Sequence, residues 1–260
     1  MNEFAPNYFG IDSRVEDRLV AAIERSELRS SPFDHIYMQQ VLPQTDYNSL
    51  LETMPDRRFF HEQRHPDAMR ADGRSRRLRM YLYPELLWRL PGEQRRIWRP
   101  IARALCSRHL EHAFKQKFRS ALEDRFGQPL DTIGIFPVPV LLRDQPGYRI
   151  GVHSDAANKA ITVQFYLPRD NSLQHVGTIF HEGGSGASAS RTTQMPFLPA
   201  TGYAFPVCAT KSWHSAAETS EADGGRVSMM VTYYVTNDAQ MRIRFRVRRA
   251  ALLFGRHPPG

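Results

Sequence analysis

The hydrophobic pattern of the chain changes its period near Gly127. Before that residue, apolar positions recur every three or four residues, which is typical of amphipathic helices. This spacing predicts a helix from Ser13 to Leu28, with Ser13 as its cap, and another that Thr45 or Asp46 caps and that runs through Leu51. It returns between Pro91 and Phe126, where we expect at least two helices because Pro100 interrupts the pattern and Gly127 closes it.

After Gly127, short β-rich runs separated by turn residues follow one another without helical interruption. The runs are IGIFPVPVLLR, YRIGVH, AITVQFYLP, GTIFHE, GYAFPV, KSWHSA, RVSMMVTYYV and MRIRFRVRR. The last run alternates arginine with apolar residues, so we interpret it as an outer strand with one solvated face. This order of elements predicts an α+β fold in a single folded unit. We divide it into a mainly helical region at 1–127 that supports the core and the substrate rim, a β-sheet core at 128–250 and a tail at 251–260.

Local composition assigns three further segments. Residues 34–43 (DHIYMQQVLP) are predicted to form a short strand. Residues 57–79 are rich in arginine and have little periodicity, which indicates a solvated loop, with a rim that contacts substrate as the alternative. GGSGASAS at 183–190 is typical of a flexible loop.

The net charge of +8 is the bulk property that suggests a partner. Lysine and arginine attract phosphate groups, but here they are spread along the chain, so nucleic acid is not the expected partner. Two cysteines, Cys106 and Cys208, cannot form a disulfide framework, which favours a reducing compartment. Because the chain shows neither a signal-peptide pattern nor an apolar stretch of about eighteen residues, we expect a cytoplasmic protein without a membrane partner.

His153 and Asp155 are the first candidate metal ligands. They lie two positions apart at the end of a strand-like run, so their side chains can share one face of that strand. An imidazole and a carboxylate suit divalent iron, and one further histidine would complete a facial triad that leaves coordination positions open for substrates. His-x-Asp also arises by chance. The other copy, His65 to Asp67, contains a proline and lies among arginines, so we interpret it as a loop.

Another histidine and an arginine follow in later strand-like runs. His214 lies in KSWHSA, and on its own it would be interpreted as a packed core histidine. After the His-x-Asp pair it becomes the third candidate ligand. Arg226 opens RVSMMVTYYV, with Ser228 two positions on and therefore on the same face. A guanidinium at the mouth of a barrel can bind a carboxylate through two hydrogen bonds, whereas the alternative is a surface arginine at a strand start.

The segment from about Gln145 to Val235 resembles the double-stranded β-helix core of the Fe(II)/2-oxoglutarate oxygenases, especially their prolyl-hydroxylase-like branch. PGYRIGVHSD resembles the strand that leads to the His-x-Asp pair of that branch. AITVQFYLPRDNSLQHVGTIF resembles the stretch that follows, GYAFPVCATKSWHSA the approach to the distal histidine, and RVS an Arg-x-Ser of some members. The resemblance covers roughly a third of the chain. It implies a jelly-roll, cupin-like core with the N-terminal helices packed on it.

The resemblance also implies roles for individual residues. Its Fe(II) ligands would be His153, Asp155 and His214. The co-substrates would be 2-oxoglutarate and O2, with ascorbate as a further candidate. Arg226 would form a salt bridge to the C5 carboxylate of 2-oxoglutarate, helped by Ser228 and Tyr166. Tyr166 shares a polar row with Thr162 and Gln164 on one strand face, and plain core packing is the alternative for it.

Together these features predict an oxidoreductase, a dioxygenase that hydroxylates an unactivated C–H bond of a small molecule while 2-oxoglutarate becomes succinate and CO2. The arginines would suit an acidic substrate, such as an amino-acid derivative or a natural-product intermediate. Asp155 fills the position that a halide would need, which favours hydroxylation over halogenation. Two alternatives stay open, namely a hydroxylase of a protein side chain and a non-catalytic β-barrel binding module with a basic surface. RVSMMVTYYV lacks the arginine and asparagine signals of the base-repair members, so a nucleic-acid substrate is not expected.

Overall fold

The computed structural model describes residues 11–183 and 191–254 of the chain. Its α-helices are α1 (Ile11–Arg25), α2 (Gln44–Glu52), α3 (Gly92–Leu105), α4 (Arg108–Lys117), α5 (Arg119–Phe126) and α6 (Ala239–Leu253). Its strands are β1 (Ile36–Met38), β2 (His61–Glu62), β3 (Arg77–Tyr81), β4 (Ile135–Asp144), β5 (Ile150–His153), β6 (Lys159–Tyr166), β7 (Thr178–His181), β8 (Thr192–Met195), β9 (Gly202–Pro206), β10 (Trp213–Ala216) and β11 (Arg226–Val235). Short 3-10 helices occur at Arg57–Phe59, Pro66–Ala68, Pro84–Arg89, Leu130–Thr132 and Asn171–Val176. The predicted flexible loop at 183–190 lies outside the described residues except for Gly183, as do residues 255–260 of the predicted tail.

The strands form two antiparallel sheets. The larger sheet has the order β1-β9-β6-β11-β4-β3-β2, and the smaller sheet has the order β5-β10-β7-β8. The eight strands from β4 to β11 are divided equally between them, because β4, β6, β9 and β11 lie in the larger sheet and the others in the smaller one. This is the strand order of a double-stranded β-helix, a form of jelly roll. The predicted α+β fold with this core is therefore confirmed.

The N-terminal helices cover the outer face of the larger sheet. Every other residue of β11 points to that face, since Met229, Val231 and Tyr233 belong to the same buried cluster as Trp98 of α3 and Phe114 of α4. The residues between them point to the opposite, inner face because side chains alternate along a strand. The inner face is the one on which a site between the two sheets can form.

Residues 239–253 form helix α6 and not the outer strand that the alternation in MRIRFRVRR predicted. The carboxylate of Asp238 caps this helix by accepting a hydrogen bond of 2.9 Å from the backbone nitrogen of Met241. Phe245 and Leu252, seven residues apart and so on one helical face, pack against apolar residues on the inner face of β4 and β11. The strand prediction was wrong because this packing and the high helix propensity of arginine, alanine, leucine and methionine outweigh nine residues of alternation.

Three other local predictions need correction. Helix α1 already includes Ser13, the predicted cap. Helix α3 runs through Pro100, and the break comes at Ser107, whose hydroxyl accepts a hydrogen bond of 3.0 Å from the backbone nitrogen of Leu110 and begins α4. Within the arginine-rich segment, Arg77–Tyr81 is a strand paired with β4 and not a loop. Leu78 and Met80 alternate with arginines as in a half-buried strand, but this run of five residues was missed among the other arginines of the segment.

The remaining local predictions agree with the structure where it describes them. Helix α2 and strand β1 lie in the segments predicted to hold a helix and a short strand. Three helices, α3 to α5, fill the segment for which we expected at least two, and Gly127 ends α5 in a left-handed conformation with φ of 61°. Cys106 and Cys208 are both free thiols. Within the described residues, every helix is too short or too polar to span a membrane.

Candidate metal centre

Three predicted ligands converge between the two sheets. Strand β5 ends at His153, and in the neighbouring strand β10 the residue directly opposite is His214. Asp155 follows two residues after His153 and is buried, as is His214. One ligand atom from each of the three side chains lies within 4.8 Å of the others. In the described part of the chain, no other group of three histidine, cysteine or acidic side chains comes together in this way.

Backbone carbonyl groups hold both imidazoles in one orientation. Nδ1 of His153 lies 2.9 Å from the carbonyl oxygen of Gly151, and Nδ1 of His214 lies 3.0 Å from that of Ser212. A carbonyl oxygen can only accept, so Nδ1 carries the hydrogen in each ring and Nε2 keeps its lone pair. An imidazole fixed in this way presents Nε2 to a metal ion.

The carboxylate of Asp155 is oriented by two neighbours. Thr162 of β6 donates a hydrogen bond of 2.6 Å to Oδ2, and Lys159 forms an ion pair with Oδ1. Burial opposes ionisation of Asp155, but Lys159 and His214 outweigh it and lower its pKa to about 2. Each carboxylate oxygen can accept more than one bond, so these contacts leave room for a metal bond.

His214 is uncharged in ordinary buffer. Burial lowers its pKa to about 4, although Asp155 acts in the opposite direction. A neutral imidazole and an ionised carboxylate are the forms that bind metal ions. The donor set of two imidazole nitrogens and one carboxylate therefore fits a divalent ion such as Fe(II).

The other His-x-Asp sequence does not form a metal site. Nδ1 of His65 accepts a hydrogen bond of 3.3 Å from the backbone nitrogen of Asp67, as in a turn at the start of a 3-10 helix. Asp67 accepts a hydrogen bond of 3.3 Å from the backbone nitrogen of Gly151 in β5. His65 does line the cavity that contains the three candidate ligands. The interpretation of this pair as a loop is in keeping with these contacts.

The three candidate ligands line a cavity of about 270 Å³. Arg226 lies in its wall, at the start of β11, and is buried. Nε of Arg226 donates a hydrogen bond of 2.8 Å to Asp144, and Nη1 donates one of 2.7 Å to the carbonyl oxygen of Val176. Among the described residues, Nη2 has no protein partner. The arginine predicted to hold a carboxylate thus lies in the same cavity as the candidate metal ligands, with one donor nitrogen that is uncommitted among the described residues.

A carboxylate that the sequence did not single out lies between two arginines. Arg77 of β3 donates two hydrogen bonds, of 2.6 Å and 2.9 Å, to Asp144 of β4. The ring of Tyr148 lies 4.2 Å from the Arg77 guanidinium and 5.3 Å from that of Arg226. Two guanidinium charges against one carboxylate leave this group with a net positive charge, which attracts an anion to this part of the cavity.

Three hydroxyl or amide side chains complete this wall. Thr178 donates a hydrogen bond of 3.1 Å to the hydroxyl of Tyr203, and that hydroxyl donates one of 2.6 Å to Gln164. Gln164 in turn donates a hydrogen bond of 2.6 Å to Ser228. Thr178, Tyr203 and Gln164 line the cavity, whereas Ser228 lies behind Gln164 and does not.

Tyr166 lies apart from the cavity although it is on the same strand as Gln164. Its hydroxyl accepts a hydrogen bond of 3.1 Å from the backbone nitrogen of Thr178 and lies 3.4 Å from the carbonyl oxygen of Met195. Its ring packs against Phe197, with centroids 4.5 Å apart. These contacts match the packing alternative given for Tyr166. The tyrosines that line the cavity are Tyr148 and Tyr203.

The chain matches no protein-family model, and no curated protein is similar to it in sequence. Several solved structures are similar in fold. A prolyl hydroxylase from Trichoplax adhaerens, in complex with a peptide fragment of hypoxia inducible factor, is 10% identical over 86% of this chain and 90% of that chain, with a TM-score of 0.49. A Pseudomonas putida prolyl-4-hydroxylase is 12% identical over 85% of this chain and 99% of that chain, with a TM-score of 0.49. The non-heme alpha-ketoglutarate-dependent epimerase SnoN from nogalamycin biosynthesis is 14% identical over 86% of this chain and 84% of that chain, with a TM-score of 0.48.

Two of these neighbours are prolyl hydroxylases, and the third is an alpha-ketoglutarate-dependent epimerase. Their low identity means that few side chains are shared. The chemistry of this chain has to be inferred from its own residues.

Proposed function

We propose that the protein is an Fe(II)- and 2-oxoglutarate-dependent oxygenase that hydroxylates a C–H bond of a small molecule. The observation that carries this proposal is the convergence of His153, Asp155 and His214, with ligand atoms within 4.8 Å of one another. Two imidazoles and one carboxylate on one side of an iron ion leave coordination positions open for a co-substrate and O2. Bound iron and 2-oxoglutarate would supply the oxidising chemistry, with succinate and CO2 as the products of the co-substrate.

The wall around Arg226 supports 2-oxoglutarate as the co-substrate. A keto acid that chelates the metal through one end needs a cationic partner for its distal carboxylate. The cavity offers Nη2 of Arg226 for that carboxylate. The hydroxyls of Thr178 and Tyr203 also line it, and each would join by turning its single hydrogen from its present acceptor to the carboxylate. In this proposal Ser228 acts through Gln164, and Tyr166 acts by fixing the backbone of Thr178.

The protein residues also keep the reacting groups in place. Thr162 and Lys159 hold Asp155, and the backbone carbonyl groups of Gly151 and Ser212 hold the two histidines. Asp144 and Arg77 fix the guanidinium of Arg226. Fixed ligands and a fixed anion partner reduce the reorganisation needed when the reaction begins.

The size of the cavity supports a small substrate or a small reacting group. A volume of about 270 Å³ is at or below the lower end of the range of about 300 to 1,000 Å³ that is usual for ligand sites. A metal ion and a dicarboxylate fill much of that space. Hydroxylation of a protein side chain is the alternative within the same chemistry, because a single side chain could also enter.

Coupled turnover tests the proposal. Purified protein supplied with Fe(II), 2-oxoglutarate and O2 should release succinate, and H153A, D155A and H214A should each lose both metal binding and succinate release. H65A, in the other His-x-Asp sequence, is the matched control and should keep the metal affinity of the wild type. Triad variants that still bind Fe(II) as tightly as the wild type would show that the proposal is wrong.

The acceptor is identified in the same assay. Mass spectrometry should detect the gain of one oxygen atom on a member of a collection of amino-acid derivatives and natural-product intermediates. Gain of oxygen on a peptide collection instead would select the protein-directed alternative. Wild-type protein that binds Fe(II) but forms no succinate with any acceptor would favour the non-catalytic binding module.

A further inference from the structure

Helix α6 and strand β3 bring three arginines together beside the metal cavity. Arg79 lies in the middle of β3, and its guanidinium is 5.4 Å from the ring centroid of Tyr81. Arg248 of α6 donates a hydrogen bond of 3.2 Å to the hydroxyl of the same tyrosine. Arg244 lies four residues before Arg248 and therefore on the same face of the helix. Tyr81 thus contacts an arginine from strand β3 and an arginine from helix α6.

The positive charge of Arg79 is not balanced by a neighbouring carboxylate among the described residues. It is half-buried, and among the described residues neither Arg79 nor Arg244 forms an ion pair with a carboxylate. Glu85, which contacts α6, is already paired with Arg249. Burial lowers the pKa of Arg79, and the neighbouring Arg248 and Arg244 lower it further. Arg79 and Arg244 are thus like charges without a carboxylate partner among the described residues, which is costly, so an anion bound between them would relieve the repulsion.

The arginine cluster of Arg79, Arg244 and Arg248 is next to the cavity and not remote from it. Arg77, which lines the cavity, precedes Arg79 by two positions on the same face of β3, so their Cα atoms are about 7 Å apart. Met230 of β11 also lines the cavity and packs in the same apolar cluster as Tyr81. The arginine cluster therefore lies beside the wall that Arg77 and Met230 form.

The cluster is separate from the group of Arg77, Asp144 and Arg226. In that group a buried carboxylate already forms hydrogen bonds with both guanidinium groups. The register places Arg79 opposite Leu142 of β4, not opposite an acidic residue. 2-Oxoglutarate, which we assign to Arg226, and the anion attracted by the arginine cluster therefore contact different arginines.

We propose that Arg79, Arg244 and Arg248 bind an anionic group of the substrate, a carboxylate or a phosphate, and hold the substrate with its reacting carbon toward His153, Asp155 and His214. This inference rests on the proposed function only in naming the bound molecule as a substrate. Guanidinium groups bind both oxyanions through paired hydrogen bonds, so the shared chemistry is a compact oxyanion. In this proposal Arg244 and Arg248 of helix α6 favour substrates that carry a negative charge over neutral ones.

Anion titration tests the inference directly. Protein loaded with Mn(II) and 2-oxoglutarate without O2, so that the other anion site is filled, is titrated by calorimetry with inorganic phosphate and, separately, with acetate. R79Q and R244Q should each weaken binding of the preferred anion by about tenfold or more, because each removes a charge-assisted hydrogen bond. Preference for phosphate indicates a phosphate-bearing substrate, and preference for acetate indicates a carboxylate.

R246Q is the matched control. Arg246 lies two residues from both Arg244 and Arg248, so it points about 200° away around the helix, and its removal changes the net charge by the same amount. Anion affinity should be unchanged in R246Q. Equal weakening in R246Q and R79Q, or no anion binding by the wild type, would overturn the inference. R79K should keep part of the affinity because it keeps the charge but not the paired donors.

Two failures can be told apart by repeating the phosphate and acetate titrations on metal-free protein. If the wild type fails to bind Mn(II) and 2-oxoglutarate but binds an anion in an Arg79-dependent way, the proposed function is wrong and the anion site stands. If Mn(II) and 2-oxoglutarate bind but R79Q and R244Q leave anion affinity unchanged, the anion site is wrong and the proposed function stands.

Discussion

Arg77 and Asp144 face each other across β3 and β4 and form two hydrogen bonds, of 2.6 Å and 2.9 Å. Arg226 donates a third bond, of 2.8 Å, to the same carboxylate. Burial opposes ionisation of Asp144, but the two arginines outweigh it and hold its pKa below the usual value. Strand β3, which carries Arg77, lies outside the eight strands β4 to β11 of the core. Through Asp144 it helps to fix Arg226, the residue that we assign to 2-oxoglutarate.

Replacing Asp144 should destabilise the protein in a pH-dependent way. Because the pKa of Asp144 is lower in the folded state than the ordinary value of about 3.9, its contribution is fully present above that value and is lost as the pH falls through the folded pKa. At pH 7, D144N leaves two buried guanidinium groups without their anion and should lower the free energy of unfolding by about 3–5 kcal/mol. Urea unfolding as a function of pH measures this.

The difference between D144N and the wild type should shrink as the pH falls below about 4, because the Asp144 carboxylate takes up a proton there in the unfolded chain and only at lower pH in the folded protein. D131N is the control, since Asp131 is exposed and its replacement should change the unfolding free energy little. A destabilisation that stays constant down to strongly acidic pH would contradict the assignment of a charge role to Asp144.

Removing the hydroxyl of Thr162 should weaken metal binding without removing a ligand. Thr162 donates a hydrogen bond of 2.6 Å to Asp155, and loss of such a partner typically costs about 10- to 100-fold in metal affinity. We expect this loss for T162V in a Mn(II) or Fe(II) titration. T232V is a matched control, because Thr232 lies directly opposite Thr162 on β11 and forms no bond with Asp155. Equal affinities for T162V and T232V would mean that the hydrogen bond does not orient the ligand.

Replacing Arg226 should affect 2-oxoglutarate and not the metal. R226Q removes a charge-assisted hydrogen bond of about 1.5–3 kcal/mol, so we expect the affinity for 2-oxoglutarate to fall by about 10- to 150-fold. The affinity for Mn(II) measured without 2-oxoglutarate should stay within about threefold of the wild type, since Arg226 contacts none of the ligands. A loss of metal affinity as large as the loss of 2-oxoglutarate affinity would point to misfolding of the cavity.

Gly225 should tolerate no side chain. Its φ is +88°, and a Cβ atom there would lie 2.2 Å from the carbonyl oxygen of Asp144. G225A should therefore lower the thermal unfolding temperature and, because Arg226 follows immediately, also weaken 2-oxoglutarate binding. In G224A the φ is +65° but an added Cβ would meet nothing within 4 Å, so the loss should be smaller. Equal losses in the two variants would remove the steric explanation.

The sequence predicted the parts of the site that depend on a few neighbouring residues. His153 and Asp155 follow a strand-like run at a spacing of two, and His214 and Arg226 lie in later runs, so their faces follow from strand alternation. The order of short strands also predicted the sheet class. These features are local, and the structure brings the three ligands together.

The sequence did not predict the partners that come from distant segments. Asp144 and Arg77 are 67 residues apart and meet through the register of β3 with β4, which no local pattern encodes. Tyr203 faces the cavity in place of Tyr166, although both lie in strand-like runs with similar patterns. In α6 the alternation of arginine with apolar residues matched a strand, whereas the tertiary contacts of Phe245 and Leu252 select a helix.

His153 and His214 stand opposite each other on two hydrogen-bonded strands, so the backbone sets the separation of the two imidazoles before any ion arrives. An ion that enters such a cage orders little of the chain, and one divalent ion can replace another without refolding. Nitrogen and oxygen donors bind Ni(II) and Cu(II) more tightly than Fe(II). We therefore expect supply within the cell, rather than the selectivity of the fold, to decide which metal these three side chains would bind.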